Sequence, residues 1–226
     1  MLKDRYGLEL STNSSVARDA YVEAVDAVLS ATGDAEALLK KGIDADPEFA
    51  LNHTVYARVQ QLSGRMAEAK ASGERGVKLA KKATDREKQH AQIFQLLTSG
   101  QGPKGLELIQ SHVQQHKLDA FALAPACSVF GLIGFSGRID REDEQVSLLE
   151  PLETAYGDDW WFLTVYGFAL VEIGEWKRGR DMVERALEQR PRSAHTAHVR
   201  AHALYEAGED HALANYLQEW LPDYSS

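Results

Sequence analysis

Three side chains near the end of the chain have the spacing of a shared chemical site. His198, His202 and Glu206 are four residues apart, so on a helix they lie along one stripe. Two histidines at this spacing can bind one transition metal, and Glu172 could add an oxygen ligand. The same groups can also form a polar binding pocket without metal, or hydrogen-bond one another. We assign no metal and no cofactor, because such a pair arises readily by chance among eight histidines.

Hydrolysis is a second chemistry that these residue types allow. His90 or His198 would act as the base and Glu172 or Glu206 would orient it, since a base must lie within hydrogen-bond reach of a carboxylate. The sequence has no Gly-x-Ser-x-Gly turn, no glycine-rich phosphate loop and no Cys-x-x-Cys pair. Its single cysteine, Cys127, lies among apolar residues and is expected to be buried. Binding is therefore favoured over catalysis.

The elements that must position these groups are predicted to be paired helices. From Trp160 to Arg192 the sequence is typical of two helices joined by a turn at Gly174. Similar segments start near residues 50, 86, 120, 160 and 194, a spacing typical of helix-pair repeats. The segment from 120 fits poorly because Pro151 falls in its second helix, and no segment alternates as a strand would. The pattern predicts an all-α superhelix, a solenoid of about five to six helix pairs, as a single domain over residues 1–226.

Five short motifs, in order along nearly the whole chain, resemble a known group of helical-repeat proteins. The motifs are Tyr6–Thr12, Asp46–His53, Asp85–His90, Gly167–Glu172 and His198–Glu206. Together they are similar to the N-terminal half of the tetratricopeptide repeat protein 38 family, whose members continue with further repeats. The resemblance implies a tetratricopeptide-repeat (TPR)-like solenoid, and it implies no particular reaction.

In a stacked array of this kind, the first helix of each pair lines the concave groove. Mapping the groove positions onto the third, fifth and sixth pairs gathers histidine, glutamate and aromatic side chains on one face. The predicted ligand-binding residues are Glu87, His90 and Phe94; Trp161, Phe168 and Glu172; and His195, His198, His202, Tyr205 and Glu206.

The leading hypothesis is a scaffold that binds a peptide or protein segment in this groove. Phe94, Trp161, Phe168 and Tyr205 would act as apolar anchors, while histidine and glutamate would fix polar groups. The alternative is a small-molecule-binding protein or metal-dependent enzyme that uses the same groove.

Composition limits the partners and the compartment. The formal net charge of −9 argues against nucleic acid, because an acidic protein gains nothing from counterion release. With one cysteine and no apolar leader or span, we expect a cytoplasmic protein that binds no membrane. A basic run from Lys70 to Lys88 is expected to be a solvated face or to meet an acidic partner. Within it, Gly73 and Gly76 are expected to let helices approach closely.

The last predicted helix carries an apolar stripe with little sequence after it to cover it. Since an uncovered stripe is unfavourable at the end of an array, we expect a second protomer, another protein or the chain's own tail to cover it. The stripe consists of Leu213, Tyr216, Leu217, Trp220 and Leu221.

Overall fold

The computed structural model describes residues 1–127 and 130–224, and α-helices dominate both ranges. The chain forms two compact units. Unit 1 contains Met1–Val28 and Asp34–Pro125, and unit 2 contains Leu29–Gly33 and Ala126–Ser226. The all-α class predicted from the sequence is confirmed, whereas the single domain over 1–226 stays a prediction.

Unit 1 begins with a small hairpin and continues with successive helices. Strand β1 (Leu2–Lys3) pairs antiparallel with β2 (Glu9–Leu10). The prediction that the chain has no strand is wrong here, because two-residue strands are too short to show alternation. The helices are α1 (Ser15–Ser30, whose last two residues belong to unit 2), α2 (Ala35–Ala45), α3 (Ala50–Leu62), α4 (Met66–Ala80), α5 (Asp85–Thr98), α6 (Gly102–Gln115) and α7 (Ala120–Leu123).

Small residues let the helices of unit 1 approach one another closely. A Cβ atom added at Gly76 of α4 would lie 2.6 Å from Thr54 Oγ1 of α3, and one at Gly73 would lie 2.8 Å from Thr98 Oγ1 of α5. Both distances are shorter than van der Waals contact, so the two glycines are what permits this packing. The close approach predicted at Gly73 and Gly76 is confirmed.

Unit 2 contains an irregular segment followed by two regular helix pairs. Residues 134–136 and 150–152 form 3-10 turns. Pro151 lies in the last of these turns, so the single second helix predicted for the fourth pair is divided into two. The helices are α8 (Arg141–Leu149), α9 (Glu153–Tyr156), α10 (Trp160–Glu172), α11 (Trp176–Gln189), α12 (Ala194–Glu206) and α13 (Asp210–Trp220).

Helix α10 is the centre of unit 2, and its residues from Trp160 to Val171 are all buried. The Gly174 turn has a φ of +88°, a conformation that favours glycine. Helix α12 packs beside α10, where the hydroxyls of Thr164 and Thr196 lie 2.8 Å apart. This contact links α12 directly to α10.

Residues just before α12 and just after α13 contact part of the stripe on α13. Trp220 Nε1 donates to the Pro191 carbonyl at 3.1 Å, and the ring of Tyr224 stacks on Trp220 at 5.3 Å. Leu221 remains 53% exposed. Self-association through α13 therefore stays a prediction. Within the part of the chain that the structure describes, no helix is long and apolar enough to cross a membrane.

Candidate functional site

The inner face of α5 in unit 1 holds a buried cluster of charged and polar side chains around Asp119. Asp119 is 3% exposed and His90 is fully buried. Arg86 Nη1 donates to Asp119 Oδ2 at 2.7 Å, and His90 Nδ1 donates to Oδ1 at 2.9 Å. His112 Nε2 donates to Oδ2 at 3.2 Å. One carboxylate thus joins α5, α6 and the start of α7.

The electrostatics of the cluster keep Asp119 ionised. Burial alone raises the pKa of this carboxyl, but the charges of His90 and Arg86 and the hydrogen bonds from His112 and His90 hold the pKa well below its usual value. For the Arg86 guanidinium, burial acts in the opposite direction and lowers the pKa. Asp119 and other acidic neighbours raise it, and the net shift is upward. The pair is therefore charged in the interior, where each partner depends on the other.

The same helix also anchors the N-terminal segment. The Ser11 backbone N–H donates to Glu87 Oε1 at 2.9 Å, and the Ser11 hydroxyl donates to Oε2 of the same carboxylate. Arg86 Nη2 donates to the Glu9 carbonyl at 2.9 Å. Glu87 also completes the capping box of α5 with Thr84. The segment from Glu9 to Ser11 is thus held against α5.

The structure differs from the sequence expectation on this face. Glu87, His90 and Phe94 were expected to line an open groove, but each is 0% exposed. The physical reason is that the N-terminal segment and Asp119 contact this face of α5, and the Phe121 ring stacks on both His90 and Phe94. All three predicted residues support the interior of unit 1.

Two predicted anchors on α10 are also buried. Trp161 is 1% exposed and packs against Tyr156 with ring centroids 5.8 Å apart. Phe168 is 2% exposed and belongs to an apolar cluster with Val183 and Val199. The expectation that these rings are open to a ligand is wrong in this structure, because neighbouring helices cover α10 on all sides of its buried stretch.

The structure does bring Glu172, His198 and His202 together. His202 Nδ1 lies 3.3 Å from Glu172 Oε1, and His202 Nε2 is hydrogen-bonded to His198 Nε2 at 3.1 Å. The Phe168 ring packs edge-on against His202 at 5.4 Å. Desolvation and the neighbouring His202 lower the pKa of His198, while Glu172 opposes the shift. The resulting chain of polar groups is ordered and partly open to solvent.

The remaining predicted residues lie along α12. Tyr205 is 64% exposed, and Glu206 is exposed beside it. His195 faces inward instead, where its Nδ1 lies 3.3 Å from the Leu29 carbonyl and burial lowers its pKa. We use the term α12 surface for Glu172, His198, His202, Tyr205 and Glu206.

Possible metal ligands and the single thiol can be described directly from the structure. No group of three or more His, Cys, Asp or Glu side chains within ranges 1–127 and 130–224 is arranged to hold a metal ion. Cys127 is buried, as predicted, and burial raises the pKa of its thiol to about 12. A thiol with that pKa is a poor nucleophile at neutral pH.

Sequence reasoning missed a second open feature, which lies in unit 1. A cleft of about 750 Å³ separates the segment Ser11–Ser14 from the C-terminal half of α4 and the residues after it. One wall was visible in the sequence as the basic run from Lys70 to Lys88. Four of its members line the cleft: Arg75, Lys78, Lys81 and Lys82. The other wall could not be found by periodicity, since it depends on a distant segment folding back onto α5. We call this feature the basic cleft.

Comparison with known proteins bears on the fold. No protein family model matches the chain. The human IFIT1 dimer solved with m7Gppp-AAAA is similar with a TM-score of 0.60 and 16% identity, over 91% of this chain and 49% of that one. The chain therefore spans about half the length of IFIT1.

Two further solved structures are also similar. YrrB, described as a TPR protein with an unusual peptide-binding site, has a TM-score of 0.41 and 15% identity, over 81% of this chain and 89% of its own. A MamA mutant has a TM-score of 0.46 and 19% identity, over 77% and 94%. Together with the helix pairs described above, the likeness to IFIT1 shows that this chain has a TPR-like helical-repeat fold.

Proposed function

We propose that the protein is a binding scaffold that holds a peptide or protein segment on the α12 surface. The observation that carries the proposal is the open Tyr205 ring, 64% exposed, on the same helix as the ordered His198 and His202 pair. Exposed tyrosines are enriched at interfaces because they bury a large ring and still offer a hydroxyl group. A helix face that combines such a ring with fixed polar groups suits a peptide backbone.

The polar groups of this surface are held in place before any partner arrives. Glu172 lies beside one ring nitrogen of His202, and His198 occupies the other. Phe168, which is buried, supports the His202 ring from α10. Groups that are ordered in advance lose less conformational entropy on binding. Phe168 therefore contributes as a positioning residue although it is closed to solvent.

A peptide is favoured over nucleic acid for this surface. Glu172 and Glu206 lie on it, and the chain as a whole carries a formal net charge of −9. Carboxylates repel phosphates but accept hydrogen bonds from peptide amides. Membership of the tetratricopeptide repeat protein 38 family, a cytoplasmic location and self-association through α13 remain parts of the proposal.

The proposal is tested with a displayed library of random twelve-residue peptides selected against the whole chain. Selected peptides are expected to bind the wild-type protein and to lose roughly tenfold or more in affinity with Tyr205→Ala, because central aromatic residues dominate such interfaces. Affinity is measured by isothermal titration calorimetry. His202→Ala is expected to weaken binding as well.

Matched controls come from unit 2 itself. Phe135→Ala removes another exposed aromatic ring, 73% exposed, and His211→Ala removes an exposed histidine from α13. Neither control is expected to change the affinity. The proposal is overturned if no peptide is enriched, or if the enriched peptides bind Tyr205→Ala as tightly as the wild type. Zinc in stoichiometric amounts by elemental analysis, lost in His198→Ala with His202→Ala, would favour the metal-dependent alternative instead.

A further inference from the structure

The basic cleft of unit 1 concentrates positive charge on one wall. Arg75, Lys78, Lys81 and Lys82 are all exposed and all line the cleft. Within the described part of the chain, none of the four forms an ion pair with a carboxylate. This concentration runs against the formal net charge of −9, so it marks the cleft as a local site of opposite sign.

The opposite wall is polar and contains two carboxylates. Asp46 Oδ2 accepts a hydrogen bond from Thr12 Oγ1 at 2.5 Å, and Asp46 Oδ1 accepts one from the Glu48 backbone at 3.1 Å. Asp46 is therefore already occupied by the protein's own donors. Glu48 is exposed. The cleft thus keeps an excess of cations while its other wall offers acceptors and hydroxyl groups.

The cleft is also preformed, because hydrogen bonds within the protein hold one of its walls. Its N-terminal wall is fixed by the hydrogen bonds between Ser11 and the buried Glu87 of α5, and by the bond between Thr12 and Asp46 of unit 1. The wall therefore does not need to order when a ligand enters, which preserves affinity. A volume of about 750 Å³ lies within the usual range for ligand pockets, roughly 300–1,000 Å³.

We propose that the basic cleft binds an acidic polypeptide segment. Spaced carboxylates would pair with the four cations along α4 and the residues after it, while the peptide N–H groups would donate to the acceptors of the opposite wall. A nucleic acid fits this arrangement less well, because its continuous phosphates would meet Glu48 and Asp46 across the cleft. The site is separate from the α12 surface and does not depend on the function proposed there.

The test uses a fluorescein-labelled octapeptide of alternating glutamate and serine, with fluorescence anisotropy as the measurement on the whole chain. Binding is expected to weaken as salt rises from about 50 to 300 mM, since exposed charges are screened. The variant Lys78→Glu with Lys82→Glu is expected to lower affinity at least about tenfold, because it places like charges against the peptide. The control variant Lys70→Glu with Lys104→Glu makes the same change in net charge on exposed residues outside the cleft and is expected to retain most of the affinity.

Several outcomes would overturn the proposal. One is an absence of binding, and another is equal loss of affinity in the cleft variant and the control, which would indicate attraction to overall charge. Equal binding of a peptide with glutamine in place of glutamate would remove the role of the carboxylates. Tighter binding of a single-stranded oligonucleotide, lost in the cleft variant, would assign the cleft to nucleic acid. Tyr205→Ala is expected to leave the affinity of the basic cleft for the peptide unchanged. A negative result for one proposed site therefore leaves the proposal for the other site standing.

Discussion

Helix α5 in unit 1 and helix α12 in unit 2 carry similar residues at similar repeat positions, yet they have opposite surroundings. On α5, His90 is 0% exposed and donates to the buried Asp119. On α12, His198 is exposed and Tyr205 is 64% exposed. Both helices carry histidine, glutamate and aromatic side chains at these positions, and only one of the two faces is open.

The difference comes from what packs on each helix. The face of α5 is covered by the N-terminal segment, through Ser11 and Glu9, and by Asp119 at the start of α7. The His198 and Tyr205 positions of α12 keep their solvent exposure. A repeat position thus determines the direction of a side chain, whereas another part of the chain determines whether that side chain is accessible.

The largest effect on the free energy of unfolding is expected when Asp119 is removed from the buried face of α5. Asp119→Ala removes the carboxylate that neutralises the buried Arg86 and accepts from His90 and His112. Loss of one partner of a buried charge pair destabilises by about 3–5 kcal/mol, so we expect a decrease of this size in the free energy of unfolding, measured with urea.

The matched control is another acidic residue with an arginine partner at the surface. Asp158 pairs with Arg185, and its side chain is 72% exposed. Exposed pairs contribute about 1 kcal/mol or less, so Asp158→Ala is expected to unfold close to the wild type. Equal destabilisation by the two variants would contradict the view that Asp119 organises the interior of unit 1.

A smaller effect is expected when one histidine is removed from each face. His90→Ala deletes a hydrogen bond to a charged acceptor and a ring that stacks on Phe121 at 6.0 Å. Hydrogen bonds to charged groups contribute roughly 1.5–3 kcal/mol, so this variant is expected to lose at least that much stability. His202→Ala is expected to change the free energy of unfolding by only about 0.5 kcal/mol, as is usual near a surface. Similar losses in urea unfolding would show that the two faces do not differ as described.

The sequence predicts the helix pairs well because their signals are local. The turn at Gly174 and the helices α10 and α11 on either side follow from apolar periodicity and a position that favours positive φ. The close approach at Gly73 and Gly76 follows from residue size alone. Each of these features is determined within a few residues or between adjacent helices.

The accessibility of the predicted site could not be found in the same way. Glu87 is buried because Ser11, 76 residues earlier, folds back onto it. Trp161 is buried because α10 is surrounded by its neighbours in unit 2. Periodicity predicts which residues share a face of a helix, but it does not predict whether a distant segment of the chain packs on that face. The basic run was visible in the sequence, whereas the wall opposite it was not.

The smallest expected effect concerns proton binding on the open face. The pKa of His198 is lowered by desolvation and by His202, and raised by Glu172. His202→Ala is therefore expected to raise this pKa, and Glu172→Gln to lower it further, which histidine ring signals in NMR would measure. Shifts of the same sign in both variants would contradict the electrostatic account.

The lowered pKa of His198 also sets how its contribution to the free energy of unfolding depends on pH. A histidine with a lowered pKa favours folding while it is neutral, so its contribution is present above the unfolded pKa of about 6.5 and is lost as pH falls through the folded value. Because His198 is exposed, the change is expected to stay below about 0.5 kcal/mol. The pKa of Asp119 is lowered in the folded protein. Its contribution to stability is therefore complete above about pH 3.9, the pKa in the unfolded chain, and is lost only as the pH falls below that value. Asp119 stays ionised between about pH 4 and 7, so comparing urea unfolding of the wild type with that of His198→Ala in this range isolates the contribution of His198. A difference between the two that changes by well over about 0.5 kcal/mol across this range would contradict its placement on the open face.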